Sequence, residues 1–286
     1  MTPTVERLPH SLRRAERHTP ATLPRPLRIV SFLAPNLLDL YQYLARAIEE
    51  QLDYPTELTT AGSYAAIADA DVAFLCSLPY VEMASQGKAP VEPLAAPVLC
   101  GERYGGRPIY FSDVIVRHDS PFQSFADLRG RSWAYNEPRS QSGYGITRQR
   151  LLELGETGGY FSRVVQTGWH ERSLRQVLAG EVDASAIDSH VLAVALRDEP
   201  ELSDQLRVID SLGPSTIQPV VVSRRLPDYF KTELRTLFLA IADHPAARQV
   251  LRRAFIECFV AMDDSSYDDI RAMRGAAAAA NFLELK

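Results

Sequence analysis

Residues 132–154 read SWAYNEPRSQSGYGITRQRLLEL. An apolar run, Ser132–Asn136, ends in a polar turn, and Ser140–Leu154 then forms a loop and helix that Gly155 closes. A strand feeding a helix through a short polar turn is the repeating unit of an α/β fold, and it recurs on both sides. Upstream, Leu27–Leu33 is a buried-type strand. Leu37, Tyr41, Leu44 and Ile48 share one face of the next helix, with Asn36 placed to cap it. Thr56–Thr60, Val72–Cys76, Val98–Cys100 and Ile109–Val116 read as strands, and Ser77-Leu78-Pro79-Tyr80 starts a short helix. Downstream, strands at Arg163–Thr167, Ala184–Ile187, Arg207–Asp210 and Val220–Ser223 alternate with helices at His170–Ala179 and Ser189–Arg197. From Phe230 onward the chain reads as mainly helical, the Val250–Met262 segment included. Such alternation predicts an α/β fold with mainly parallel sheets.

Two βα series of similar size, linked by long extended segments at Ile109–Val116 and near Ser211–Ser223, predict two lobes joined by two crossing strands. Lobe one spans 27–115 plus 215–286 and lobe two spans 116–214. Residues 1–26, polar and ending at Pro24-Arg25-Pro26, form a flexible arm. A ligand then belongs in the interlobe cleft, at strand C-termini and helix N-termini. The 286 residues are ample for a large core, and 46% apolar with 23% charged is the balance of a globular chain. No apolar run approaches the roughly 18–20 residues of a bilayer span, so membrane insertion is not expected. A net charge of −5 disfavours nucleic acid as a partner. Only Lys88, Lys231 and Lys286 are lysines among 31 basic residues, a bias of composition rather than function. Cys76, Cys100 and Cys258 have neither disulfide nor zinc spacing and read as free thiols, with no metal or cofactor implied. The first residues lack the apolar core of a secretory signal, which makes the chain cytoplasmic as written and extracytoplasmic if a signal was removed.

The turn at 135–145 concentrates the chemistry. Ser140 and Ser142 can cap the helix or turn hydroxyls toward a ligand, and Gly143 allows a ligand to approach the backbone. Unpaired amides and the positive end of the helix dipole make such a turn an anion site. No acidic residue follows Ser142 until Glu153, so an Asp placed at Gly143 is expected to steady the helix start. His170 follows the strand ending at Thr167, Asp188 follows Ala184–Ile187, and Tyr80 follows Val72–Cys76. Imidazole and phenol donate to anion oxygens, while Asp188 suits a protonated ligand oxygen, a ligand ammonium or His170. The P-loop, zinc-protease, nucleophile-elbow and dinucleotide signatures are absent, and Ser142, His170 and Asp188 fall in the wrong chain order for an α/β-hydrolase.

The stretch YFSDVIVRHDSPFQSFADLRGRSWAYNEPRSQSGYG (110–145), then GWHERSL (168–174) and GEVDASAIDS (180–189), resembles the phosphonate/phosphite-binding branch of ABC-transporter solute-binding proteins, over about residues 27–245. The resemblance implies a type-2 periplasmic-binding-protein fold and the binding of a small tetrahedral oxyanion between the lobes by a solute-binding or sensor protein. It implies that Ser140, Gln141, Ser142 and Gly143 cradle the oxyanion, with His170, Asp188 and lobe-one Tyr80 completing the pocket; Asn36 joins these ligand-binding candidates. An ABC permease or a sensor partner is implied as well. Gln141 stands where relatives often carry Thr and is expected to reshape the pocket, and Trp169 stands where a smaller residue is common. Some relatives sense arsenite through a cysteine, a role open to Cys76 or Cys100. The alternative is an enzyme on the same fold, acting on a small carboxylate or phosphorylated metabolite with His170 and Asp188 as an acid–base pair.

Overall fold

The structure is a computed structural model that describes residues 26–87, 89–282, 284 and 285; nearly all of the expected N-terminal arm lies outside the described residues. Eleven strands occur among them: β1 (Leu27–Ser31), β2 (Thr56–Thr60), β3 (Val72–Phe74), β4 (Val91–Leu99), β5 (Ile109–Arg117), β6 (Ser132–Tyr135), β7 (Arg163–Gln166), β8 (Ala184–Asp188), β9 (Leu206–Thr216), β10 (Val220–Ser223) and β11 (Ile256–Ala261). They form two sheets, ordered β11-β4-β10-β3-β1-β2 and β7-β6-β8-β5-β9. Each sheet is mixed, where the alternation of strands and helices predicted mainly parallel ones. Parallel pairs run where helices cross over, at β2-β1-β3 and β7-β6-β8. Antiparallel pairs run where the chain crosses between sheets or closes an edge, through β4, β5, β9, β10 and β11.

Burial follows from the strand period of two. Along β5, Val114 and Val116 pack on one face of the second sheet with Trp133 and Phe125, while Ile115 points to the opposite core with Ala134, Leu174 and Ile187. On the first sheet, Tyr41, Leu44 and Ile48 of the helix Leu38–Leu52 are buried on one face as expected, joined by Leu40, while Leu37 is buried in the turn ahead of the helix. β5 pairs with β8 and β9 in the second sheet, while Ile109, Tyr110 and Phe111 at its start pack with the first core, so the chain passes between the lobes along this strand. At the other end of the chain, Phe282 and Leu285 pack into the core of the second sheet, not the first.

Several elements differ from their sequence reading. Ile256–Ala261 is an edge strand antiparallel to β4, not part of a helix. Its β-branched and aromatic residues suit a pleated surface, and pairing with β4 outweighs local helical preference. β4 itself is nine residues long and carries Pro93 and Pro97, which obscured it as a strand. Asn36 does not cap the first helix: it lies in a single tight turn, Pro35–Leu37, and that helix starts without any side-chain cap.

Candidate functional site

β6 delivers the chain into the turn at 136–139, and Ser140, in an extended conformation, caps the wide turn Gln141–Gly145. Its Oγ accepts from the Gly143 amide at 3.0 Å. The amides of Gly145 and Ile146 then donate to the carbonyls of Ser140 and Gln141, bonds spanning five residues, so this turn is wider than an α-helical one. Such widened turns recur at functional sites, and the first-turn amides have no preceding helical carbonyl to satisfy them. The regular helix Ile146–Glu153 continues from there with no acidic residue in its first turn.

The turn after β7 meets this one directly. Gly168, at φ +90°, adopts a conformation suited to glycine, and its amide donates to the Asn136 carbonyl at 2.8 Å. That bond places His170, the first residue of the helix His170–Leu178, against the serine turn. His170 Nε2 lies 2.8 Å from Ser142 Oγ, which in turn is 3.3 Å from Ser140 Oγ. The opposite ring nitrogen, Nδ1, is buried and unpartnered among the described residues. Burial lowers the His170 pKa to about 4, so the imidazole is neutral at physiological pH.

Asp188 ends β8 and caps the helix Ser189–Asp198. Its Oδ1 accepts from the amides of His190 (2.8 Å) and Val191 (3.4 Å), and its Oδ2 from the Gln218 side-chain amide. Burial raises its pKa to about 6, with those hydrogen bonds opposing the rise. Asp188 and His170 therefore have separate partners, and no hydrogen bond joins them as an acid–base pair among the described residues.

Ser140, Ser142, His170 and Asp188 converge on one interlobe cavity of about 350 Å³. The other four candidates do not line it. Gln141 turns its side-chain amide toward Ser215 Oγ (3.3 Å) and Met273 Sδ (3.1 Å), so it fills space behind the turn and leaves the pocket shape alone. Gly143 makes room for Asn136: a Cβ there would lie 2.1 Å from Asn136 Oδ1, so any side chain at 143 has to displace it. Tyr80 is buried, donates its hydroxyl to Asp264 and packs edge-on against Tyr267. Asn36 donates to the Val191 carbonyl at 3.1 Å and so ties the two lobes together.

Several cleft residues carried no signal in the sequence. Tyr64 donates to Glu137 at 2.7 Å, Arg139 donates to Glu82 at 2.7 Å, and the Arg139 guanidinium lies 4.4 Å from the Tyr64 ring centre. These contacts clasp the first lobe to the second beside the cavity. Gln218 reaches Asp188 from the crossing segment, thirty positions away in the chain. No periodicity marks such pairs, because only the fold brings them together. All three cysteines are free; burial raises the Cys76 thiol to about 11, which leaves little thiolate for arsenite or other thiol chemistry. Among the described residues no helix is long and apolar enough to cross a membrane, and no group of three metal-ligating side chains occurs.

The histidines set a pH dependence. His170 and His190 are both held at about 4 by burial, against about 6.5 unfolded, so the unfolded chain binds more protons between those values. Stability is present above about pH 6.5 and is lost as pH falls toward 4. Asp188 opposes this in part, because its raised pKa makes the native state the better proton binder between about 4 and 6. In urea melts, wild type should lose about 2 kcal/mol more than His170→Gln on going from pH 7.5 to pH 5. Equal losses would mean that His170 is not held neutral.

Comparison with known proteins adds to this geometry. The family model described as "ABC transporter, phosphonate, periplasmic substrate-binding protein" matches residues 29–267. The phosphonates-binding periplasmic protein of Escherichia coli (strain K12) is 25% identical over 173 residues, 59% of this chain and 51% of that protein, so the chain spans about half the length of this curated relative. A binding-protein component of an ABC phosphonate transporter from Pseudomonas aeruginosa superposes with a TM-score of 0.74 at 22% identity, covering 87% of this chain and 86% of that one. PhnD1 from Prochlorococcus marinus (MIT 9301), solved in complex with methylphosphonate, also gives 0.74 at 17% identity, covering 91% and 99%. The fold is that of the type-2 periplasmic binding proteins.

Proposed function

Since the chain belongs to the family of periplasmic substrate-binding proteins of phosphonate ABC transporters, we propose that it binds the phosphonate group of its ligand between its lobes, on Ser140, Ser142 and His170. The family is one of binding proteins, not enzymes, and it implies a small ligand and a permease partner. The observation that carries the reading is the Ser142–His170 pair, set at the wide turn on the wall of the interlobe cavity. No arginine or lysine lines that cavity among the described residues. The anion is met instead by hydroxyls, by first-turn amides with the positive end of the helix dipole, and by a neutral imidazole that can present an N–H. Asp188 accepts from a protonated ligand oxygen, which makes the site selective for oxyanions that still carry a proton. The lobes close by a hinge at the crossing segments, with the Tyr64–Glu137 and Arg139–Glu82 contacts holding the closed form. The protein works with a permease on the periplasmic side or its equivalent.

A thermal-shift panel tests this. Phosphate, phosphite, methylphosphonate, 2-aminoethylphosphonate, sulfate and arsenite are each added to the full chain. A phosphonate present at 100 times its Kd should add about 2.7 kcal/mol of stability. No stabilisation by any phosphonate would overturn the assignment.

A further inference from the structure

The first lobe's share of the cavity lining is largely apolar: Phe32, Leu37, Leu40, Leu44 and Phe74, beside the Tyr41 and Tyr64 rings. The volume of about 350 Å³ lies in the range of about 300–1,000 Å³ typical of sites for much larger ligands, and a methyl group would fill little of it. The lining carboxylates are Glu137 and Asp188, and both stand on the second lobe, on the side of the serine turn. The first-lobe wall supplies no carboxylate, so an ammonium placed against it would be stripped of water without a counter-charge.

Building on the phosphonate reading, we propose that the substrate is an organophosphonate whose carbon substituent is apolar and several atoms long, an alkyl or aryl group seated against the Phe32–Leu37–Leu40 wall. The anionic head stays on the serine turn, and the apolar tail replaces water in the recess. An apolar tail of this kind gains affinity from each carbon it buries, and a zwitterion of equal size does not.

Titration calorimetry on the full chain with methyl-, ethyl-, propyl-, butyl- and phenylphosphonate tests the recess, with 2-aminoethylphosphonate as the zwitterion of the same heavy-atom count as propylphosphonate. Affinity should rise about fourfold per methylene from methyl to butyl, and phenylphosphonate should bind more tightly than methylphosphonate. Propylphosphonate should bind at least tenfold more tightly than 2-aminoethylphosphonate. A flat alkyl series, or 2-aminoethylphosphonate equal to or tighter than propylphosphonate, overturns the apolar subsite while leaving the phosphonate site standing. Absence of binding by every phosphonate overturns both.

Discussion

Gly143→Asp abolishes phosphonate binding and also lowers the melting temperature of the unliganded protein. The second half of this result runs against local helix chemistry, in which an acidic first-turn residue contributes about 0.3–1 kcal/mol through the dipole. Packing decides the sign. A Cβ at residue 143 lies 2.1 Å from Asn136 Oδ1, 3.2 Å from its Cγ and 3.4 Å from its backbone nitrogen. The backbone of Asn136 is held by the Gly168 amide, so its side chain has to turn aside within the cavity that the residue lines, beside the anion site. Overpacking of this kind costs about 1–3 kcal/mol, more than the dipole returns, and the new carboxylate also stands beside the anion site. Calorimetric melting of the apo protein and a methylphosphonate titration check the two halves separately. Near-native affinity in the variant would place the site elsewhere.

Asp188→Ala has the largest effect on folding. It removes the cap on the His190 and Val191 amides, worth about 0.5–2 kcal/mol, and leaves the half-buried Gln218 amide without its acceptor, worth about 1 kcal/mol more. A fall in melting temperature on the order of 10 °C is expected for a chain of this size. Asp188→Asn should lose less, because its side-chain oxygen still caps the helix and the buried negative charge is gone. The Asn variant also separates the roles: the neutral side chain no longer offers a carboxylate to a protonated ligand oxygen, so affinity falls further than stability. Should Asp188→Ala melt with wild type, the carboxylate is not the cap that its geometry indicates.

Much of the site could be read from residues 132–189, since a strand end, a polar turn and a helix start are local events. Ser140, Ser142, His170 and Asp188 obey that logic, and the fold brings them to one cavity. Gly143 shows where it stops. A glycine beside an expected anion reads as room for the ligand, whereas its neighbour is Asn136, seven positions back and visible only in three dimensions. Tyr80 sits at a strand end like the others, but its helix packs toward the C-terminal segment and its hydroxyl meets Asp264. Asn36 fits the sequence pattern of a cap, and it instead donates across the cleft to Val191. The Ile256–Ala261 strand was hidden because edge pairing is supplied by a partner 157 positions earlier, at the Ile256–Leu99 contact. Local periodicity cannot report such a partner.

A crystal structure of the protein grown with methylphosphonate locates the ligand. Phosphonate density is expected in the interlobe cavity, with oxygens within hydrogen-bond distance of Ser142 Oγ, a His170 ring nitrogen and a first-turn amide of the 141–145 segment. The methyl group should face Phe32 and Leu40. Phosphonate density bound elsewhere, or a ligand head turned toward the first-lobe wall, would contradict a site on the serine turn.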